Sequence, residues 1–416
     1  MQDNRKGFFI MNGPVITVDV SKGSCHFQPY IENGKPMCKP KVLKDTIEGF
    51  DNLAKTMNKL KERSSTSTIP VVFEATGVYH RCLQKYLDDN KIPYYIISPL
   101  MSAAYRKTNI NSNKTDDLDC GHIAKCFYGE QDLRVYKKQA KIYEELRHTN
   151  RYYESELNFL RQRKTSFRAL LDIIYPLIDK CFKGHSSLYD EVPMMVLKLY
   201  PHPKLLLKHK EETVVNRVTS KVNHDKKFVE KIVSLMYEGA SKCYPGCDED
   251  DKEVDRLKET IISLKEQVAK CDEILKELIE QAKKVPYFKY VVSITGVGLN
   301  LASRIVAEIG DITRFESRKA ITAYAGLNPK IRQSGDIDGT HLAISKKGNR
   351  HLRCLLYLGA TCNYRLKKHD SLYEFNQKKR QQSTNPLKKK AANIATAHKL
   401  LVIIYALSKN NQEYNS

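Results

Sequence analysis

Apolar residues in the first third of the chain alternate between short unbroken runs and helical stripes. Val15 to Asp19 reads as a buried strand, and Cys25 to Ile31 can return beside it after Lys22-Gly23. Thr46 to Arg63 carries Ile47, Phe50, Leu53, Met57 and Leu60 at a helical period. Ile69 to Glu74 reads as a second buried strand, Tyr79 to Asp89 as a helix, and Ile92 to Ser98 as a strand stopped by Pro99. Strand, hairpin, helix, strand, helix, strand predicts a mixed sheet flanked by helices.

The pattern then becomes helical. Residues 139 to 175 form one long stripe through Ile142, Leu146, Tyr153, Leu160, Phe167 and Ile174. Residues 176 to 250 contain Pro176, Pro193, Pro201, Pro203 and Pro245 and read as short helices broken by turns. From Val254 to Leu278 the apolar positions step by 3, 4, 3, 4, 3, 4 and 3, a heptad seam with Lys and Glu on its flanks. Such a seam serves a second copy of the chain or a helix of the same chain equally well. After Pro286 come Val291 to Thr295, then Gly296-Val297-Gly298, then a helical stretch from Leu299 to Ile309. A helix–Gly-x-Gly–helix unit can present backbone N–H groups to a phosphate.

Charge narrows the function. Lys and Arg number 70 against 48 acids, a formal net charge of +22. Such a field favours nucleic acid or an acidic membrane surface. The sequence contains no unbroken apolar segment of the ~18 residues that a membrane span requires, and the N-terminus carries no secretory pattern. Eleven scattered cysteines suit reduced thiols in a cytoplasm rather than a disulfide framework. The pair in Cys243-Tyr-Pro-Gly-Cys247 reads as a turn with incidental thiols, because no second pair stands at finger spacing. Between Lys346 and Lys399 fourteen basic residues face only Asp370 and Glu374. Lys346, Lys347, Arg350 and Arg353 open that run, and with Gly296 and Gly298 they are the candidate nucleic-acid contacts.

Four acids are the candidate chemistry. Asp19 and Glu74 end otherwise apolar strands, where a carboxylate is costly unless a cation compensates it. Asp116 and Asp119 lie at i and i+3 of a helix start and share a face. First-turn acids after a Thr115 cap also favour a helix without any further role. Clustered carboxylates suit Mg²⁺, and paired ions can serve phosphoryl transfer. Cys120, beside the helix acids, makes the surroundings softer, so Mn²⁺ is tolerated as well.

The segments around these acids resemble a known family. They are Val18-Asp19-Val20-Ser21-Lys22, Phe73-Glu74-Ala75-Thr76-Gly77-Val78-Tyr79 and Asn113-Lys114-Thr115-Asp116-Asp117-Leu118-Asp119. Ser293-Ile294-Thr295-Gly296-Val297-Gly298, Ala323-Tyr324-Ala325-Gly326-Leu327-Asn328-Pro329, Gln333-Ser334-Gly335 and Ile344 to Arg353 follow in order. The series resembles the DEDD transposases of bacterial insertion sequences of the IS one-ten type, which include pilin-gene invertases. The resemblance covers roughly residues 14 to 130 and 286 to 408.

That resemblance implies an α/β plus α chain: a RuvC-like, ribonuclease-H-like domain over 1–136, a helical coiled-coil middle over 137–285, and a mainly helical C-terminal transposase domain over 286–416. It implies Mg²⁺ held by Asp19, Glu74, Asp116 and Asp119, and a nucleophilic Ser334. Ser345 is the alternative serine. It also implies double-stranded donor and target DNA, a structured guide RNA, a dimer or tetramer, no membrane, and a bacterial cytoplasm at the nucleoid. Two other classes fit the same residues: a metal nuclease or Holliday junction resolvase in which water attacks, and a non-catalytic nucleic-acid-binding relative.

Overall fold

The computed structural model describes residues 12–23, 25–75, 77–107, 116–130, 133–182, 184–329, 333–334, 337–338 and 343–415. The side chains of 100, 104, 106–107, 116–118, 333–334 and 337–338 lie outside that description. The chain divides into two units, Met1–Gln139 and Ala140–Ser416.

The first unit is a mixed sheet between helices. Its elements are β1 (Val15–Asp19), β2 (Cys25–Glu32), β3 (Lys35–Pro36), β4 (Lys41–Leu43), α1 (Ile47–Ser64), β5 (Val71–Glu74), α2 (Arg81–Asp89), β6 (Tyr94–Ile97), α3 (Pro99–Lys107) and α4 (Asp116–Gly129). The strand order is β3-β2-β1-β5-β6, with β4 also on β2. β2 returns antiparallel to β1, while β5 and β6 run parallel to it. Parallel neighbours need crossovers, which α1 and α2 supply. Thr46 caps α1 by accepting from the Gly49 amide at 3.1 Å. Ile16, Val18, Val71 and Phe73 pack with Leu53, Leu60 and Leu83 on one face. Val15, Val72 and Ile97 pack with Ile123 and Phe127 on the other. The alternating two-sided burial is why these strands are nearly continuous apolar runs. The short edge pieces β3 and β4 carry no such run, and the sequence pattern did not show them.

The second unit is mostly helical. It contains α5 (Lys141–Ile174), α6 (Ile178–Cys181), α7 (Glu191–Leu199), α8 (Pro203–Leu207), α9 (Glu211–Thr219), α10 (Lys226–Lys242), α11 (Lys252–Lys283), α12 (Phe288–Val292), α13 (Leu299–Ile309) and α14 (Arg318–Ala325). The short hairpin β7 (Gln333–Ser334) and β8 (Ile337–Asp338) follows, then α15 (Arg350–Leu366), α16 (Ser371–Gln381) and α17 (Lys389–Asn410). The heptad seam is satisfied inside the chain, because α11 packs along α5. Val254, Leu257, Ile261, Leu264, Cys271 and Leu278 are buried there, while Val268 stays 40% exposed. One core gathers α6–α10 around the ends of α5 and α11 through Phe167, Leu171, Val254 and Leu257. Another runs from Leu146, Tyr153 and Leu278 into α13, α15 and α17 without interruption at residue 285. By length and composition α17 could cross a membrane. Here its Leu400, Leu401 and Ile404 are core residues packed with α12, α14, α15 and α16.

Glu156 fixes the register of the helix pair. Its carboxylate accepts from Gln267 Nε2 at 2.8 Å and from Lys270 Nζ at 2.9 Å, both on α11. These hydrogen bonds hold the carboxyl below its ordinary range.

Two outcomes follow for stability. Leu278→Ala should cost about 2–5 kcal/mol by urea unfolding, whereas Val268→Ala on the same seam should cost less than ~1 kcal/mol. Because the Glu156 carboxyl is depressed in the fold, its contribution is present above the unfolded value and lost as pH falls. The urea midpoint of wild type should therefore exceed that of Glu156→Gln at pH 6. The gap should narrow as pH drops below the unfolded carboxyl value of 4.5.

Candidate active site and nucleic-acid interface

Asp19 closes β1 and Glu74 closes β5. The parallel register pairs Ile16 with Val71, Thr17 with Val72 and Val18 with Phe73, and its next step sets Asp19 beside Glu74. Alternation decides their face. Val15 and Val72 lie under α4. Asp19 and Glu74 fall on the same parity and leave the sheet on that side. Both are half-buried, and both take part in further polar or electrostatic interactions.

Helix α4 covers this edge, packing on β1, β2 and β5. Ile123, Ala124, Cys126 and Phe127 face the sheet. Helical steps back from Ile123 put Asp119, Cys120 and Asp116 on the same stripe. Cys120 marks the meeting point. Burial pushes its thiol up to about 12, and the nearby Asp19 and Asp119 carboxylates push the same way. One acid therefore reaches Cys120 from the strand and another from the helix. The thiol donates to the carbonyl of His26 at 3.3 Å, and His26 stands opposite Asp19 in the β1–β2 register.

The donors are hard carboxylate oxygens on one side of a sheet edge, the kind of set that suits Mg²⁺ or Mn²⁺ rather than a thiophilic metal. Among the described residues no three His, Cys, Asp or Glu side chains are gathered closely enough to hold an ion. The side chain of Asp116 lies outside those residues, as does the Thr115 cap. The fit is thus one of donor type, with Asp19 and Glu74 at adjacent strand ends.

In the second unit, Ser334 sits in β7, where its backbone pairs with Ile337 of β8. Its side chain and the flanking 330–332 and 335–336 lie outside the described residues. The chain entering and leaving this hairpin is joined by the antiparallel bridge Pro329–Ile344. Ser345 donates to Asn328 Oδ1 at 2.6 Å, which gives the alternative serine a structural bond at the base of the hairpin.

The basic candidates separate by environment. Lys346, Lys347 and Arg350 are exposed. Arg353 is half-buried and donates to the carbonyl of Ala325 at 2.9 Å, bracing the end of α14. The two glycines separate as well. Gly296 has φ +87° and a Cβ there would lie 2.6 Å from the Asn363 amide nitrogen, so it serves close packing against α15. Gly298 caps α13 with open space around it, leaving that helix start accessible. Sequence reasoning missed Asn349, which caps α15 by accepting from the His351 and Leu352 amides. An Asn ahead of a helical stripe is a readable cap signal.

Comparison with known proteins gives two separate matches, one over the acids and one over the serine hairpin. Residues 16–176 match a transposase family model of the DEDD IS110 type. Residues 289–374 match a second model, described as Transposase IS116/IS110/IS902 family. The transposase for insertion sequence element IS1111A of Coxiella burnetii (strain RSA 493 / Nine Mile phase I) is 30% identical over 164 residues, 37% of this chain and 44% of that protein. The pilin gene-inverting protein of Moraxella lacunata is 26% identical over 151 residues, 36% of this chain and 46% of its own length. Its counterpart in Moraxella bovis is 29% identical over 123 residues, 30% of this chain and 37% of that protein. The chain thus spans less than half the length of these curated relatives. Two family models in the expected order, one over each half of the candidate chemistry, place this chain in the IS110-type transposase family.

Proposed function

We propose that this protein is the transposase of a bacterial insertion sequence, cutting and rejoining double-stranded donor and target DNA through a phosphoserine intermediate. The observation that carries the reading is the β1–β5 register, which sets Asp19 beside Glu74 on the face covered by α4. Two carboxylates at adjacent strand ends are oxygen donors of the kind a divalent cation takes. In this reading the first unit is a RuvC-like domain, and α5 with α11 is a coiled-coil arm. Asp19, Glu74, Asp116 and Asp119 hold a divalent ion, Mg²⁺ in the first instance. When bound, that ion neutralises phosphate charge and favours an attacking oxygen.

Ser334 supplies that oxygen. Its Oγ forms a bond to phosphorus while the P–O bond to one strand breaks, and the serine proton passes to the departing hydroxyl. The phosphoserine ester retains the broken linkage. A hydroxyl of the new partner strand then attacks it, freeing Ser334 and rejoining the DNA without an external energy source. Lys346, Lys347, Arg350 and the start of α13 at Gly298 contact phosphates, as exposed cations and helix N-termini do. A structured RNA encoded by the element directs the choice of DNA by base pairing. The protein works in the cytoplasm at the nucleoid, as a dimer or tetramer.

The test combines protein, Mg²⁺, element-end DNA and RNA transcribed from the flanking noncoding segment, followed by denaturing electrophoresis for a protein–DNA adduct. Wild type should give an adduct that Ser334→Ala abolishes. Nicked or resolved DNA without any adduct would overturn the serine and favour attack by water. Asp19→Asn and Glu74→Gln should each slow strand cleavage at least ~100-fold, on the scale of losing electrostatic stabilisation at a phosphoryl centre. DNA affinity should stay within about threefold, because the phosphate contacts lie in the second unit. Lys346→Ala with Lys347→Ala should instead weaken DNA binding and flatten its dependence on salt concentration.

A further inference from the structure

Glu308 on α13 is fully buried, with 0% exposure. A carboxylate in that setting must be compensated by donors. Its Oε1 accepts from Asn150 Nδ2 at 2.7 Å, and its Oε2 from Arg151 at 2.8 Å, both on α5. The remaining donor is Asn349 Nδ2, at 2.8 Å from Oε2. Asn349 thus works at both ends, since its Oδ1 caps α15.

The segment before that cap is fastened to the end of α14. The Asn349 amide donates to the Tyr324 carbonyl at 2.7 Å, the Lys346 amide to Gly326 at 3.1 Å and the Ser345 amide to Asn328 at 2.7 Å. Gly348 (φ +159°) lies so close that a Cβ would stand 2.4 Å from the Tyr324 carbonyl oxygen. One residue further back, Ile344 bridges to Pro329 at the base of the Ser334 hairpin. A continuous path of hydrogen bonds and adjoining backbone therefore runs from α5 through Glu308 and Asn349 to the base of the hairpin and to the exposed Lys346, Lys347 and Arg350.

We propose that Glu308 and Asn349 are positioning residues: they latch the stem of the Ser334 hairpin and its neighbouring phosphate contacts to helix α5. The inference rests on the reading of Ser334 as nucleophile and adds the device that aims it. Stability alone gives a weak reason for such a network, because a well-packed apolar cluster often replaces a buried ion pair without loss. Orientation gives a stronger one, since a misplacement of ~1 Å can cost a reaction about 100-fold.

Asn349→Ser separates cap from latch: serine still caps a helix but is too short to reach Glu308. Glu308→Gln removes the charge and leaves the shape. The swap Glu308→Gln with Asn349→Asp reverses donor and acceptor and restores the contact. In the full-length protein, hydrogen exchange at Ser345, Lys346 and Asn349 should speed up about tenfold or more in Asn349→Ser, while the amides of α11 keep their protection. Adduct formation should slow about 10- to 100-fold in both single variants, with DNA affinity within about threefold, and recover at least tenfold from Asn349→Asp in the swap. Unchanged exchange in both single variants would overturn the latch. Adduct rates that fall only in proportion to lost thermal stability would overturn the positioning role. If wild type itself gives no adduct, the serine reading fails, and the exchange measurement decides the latch independently.

Discussion

A carboxylate removed from water must find donors, and three of them determine how the helices of the second unit meet. Glu156 is buried between α5 and α11 and takes its donors from Gln267 and Lys270. Glu308 draws α5, α13 and the start of α15 together. Asp370, 2% exposed, caps α16 through the Tyr373 amide and accepts from Asn363 of α15 and Tyr414 near the C-terminus. Apolar packing would hold these helices at many offsets of similar energy, because it is non-directional. A buried acid tolerates one arrangement of donors, so each fixes a register that Leu and Val leave loose.

The same constraint works differently at the sheet edge. Asp19 and Glu74 are only half-buried and stand at the ends of neighbouring parallel strands, so water as well as protein reaches them. Burial chiefly raises the Cys120 thiol beside them, and Asp19 and Asp119 push the same way. In the second unit the acids are surrounded by amide and cationic donors and serve structure. At the ends of β1 and β5 two carboxylates instead leave the sheet on one side, under α4.

Much of this was legible in the residues. Strands β1, β5 and β6 and helices α1, α5, α11 and α13 lie within a few residues of their predicted positions, because each carries an apolar period of its own. The helix seam was legible as a seam but not as to its partner, since periodicity cannot say whether the facing helix belongs to the same chain. The pairing of Asp19 with Glu74 needed the parallel register, which fixes both ends at once. Arg353 looked like its basic neighbours and is instead a brace for α14, because burial is set by the fold and not by charge. Glu308, Asn150 and Asn349 were invisible as a group. They lie far apart along the chain, and the packing of α5 and α15 on α13 brings them together.

Charge and fold also divide the labour within the second unit. Residues 176 to 250 hold twelve basic and eleven acidic side chains, close to neutral in a chain of net charge +22. Several are paired with one another, as in Lys204–Asp248 and Lys208–Glu249, or with a cation of α5, as in Arg168–Asp179. This helical group lies between the two family matches, which end at 176 and resume at 289. Its core is closed around the ends of α5 and α11, to which Phe167, Leu171, Val254 and Leu257 bind it. The field that draws a polyanion therefore originates elsewhere, from segments such as Lys346–Arg353 and the basic end of α16. The near-neutral helices close one core at the ends of α5 and α11, and the length of that helix pair lets it bury both cores of the unit.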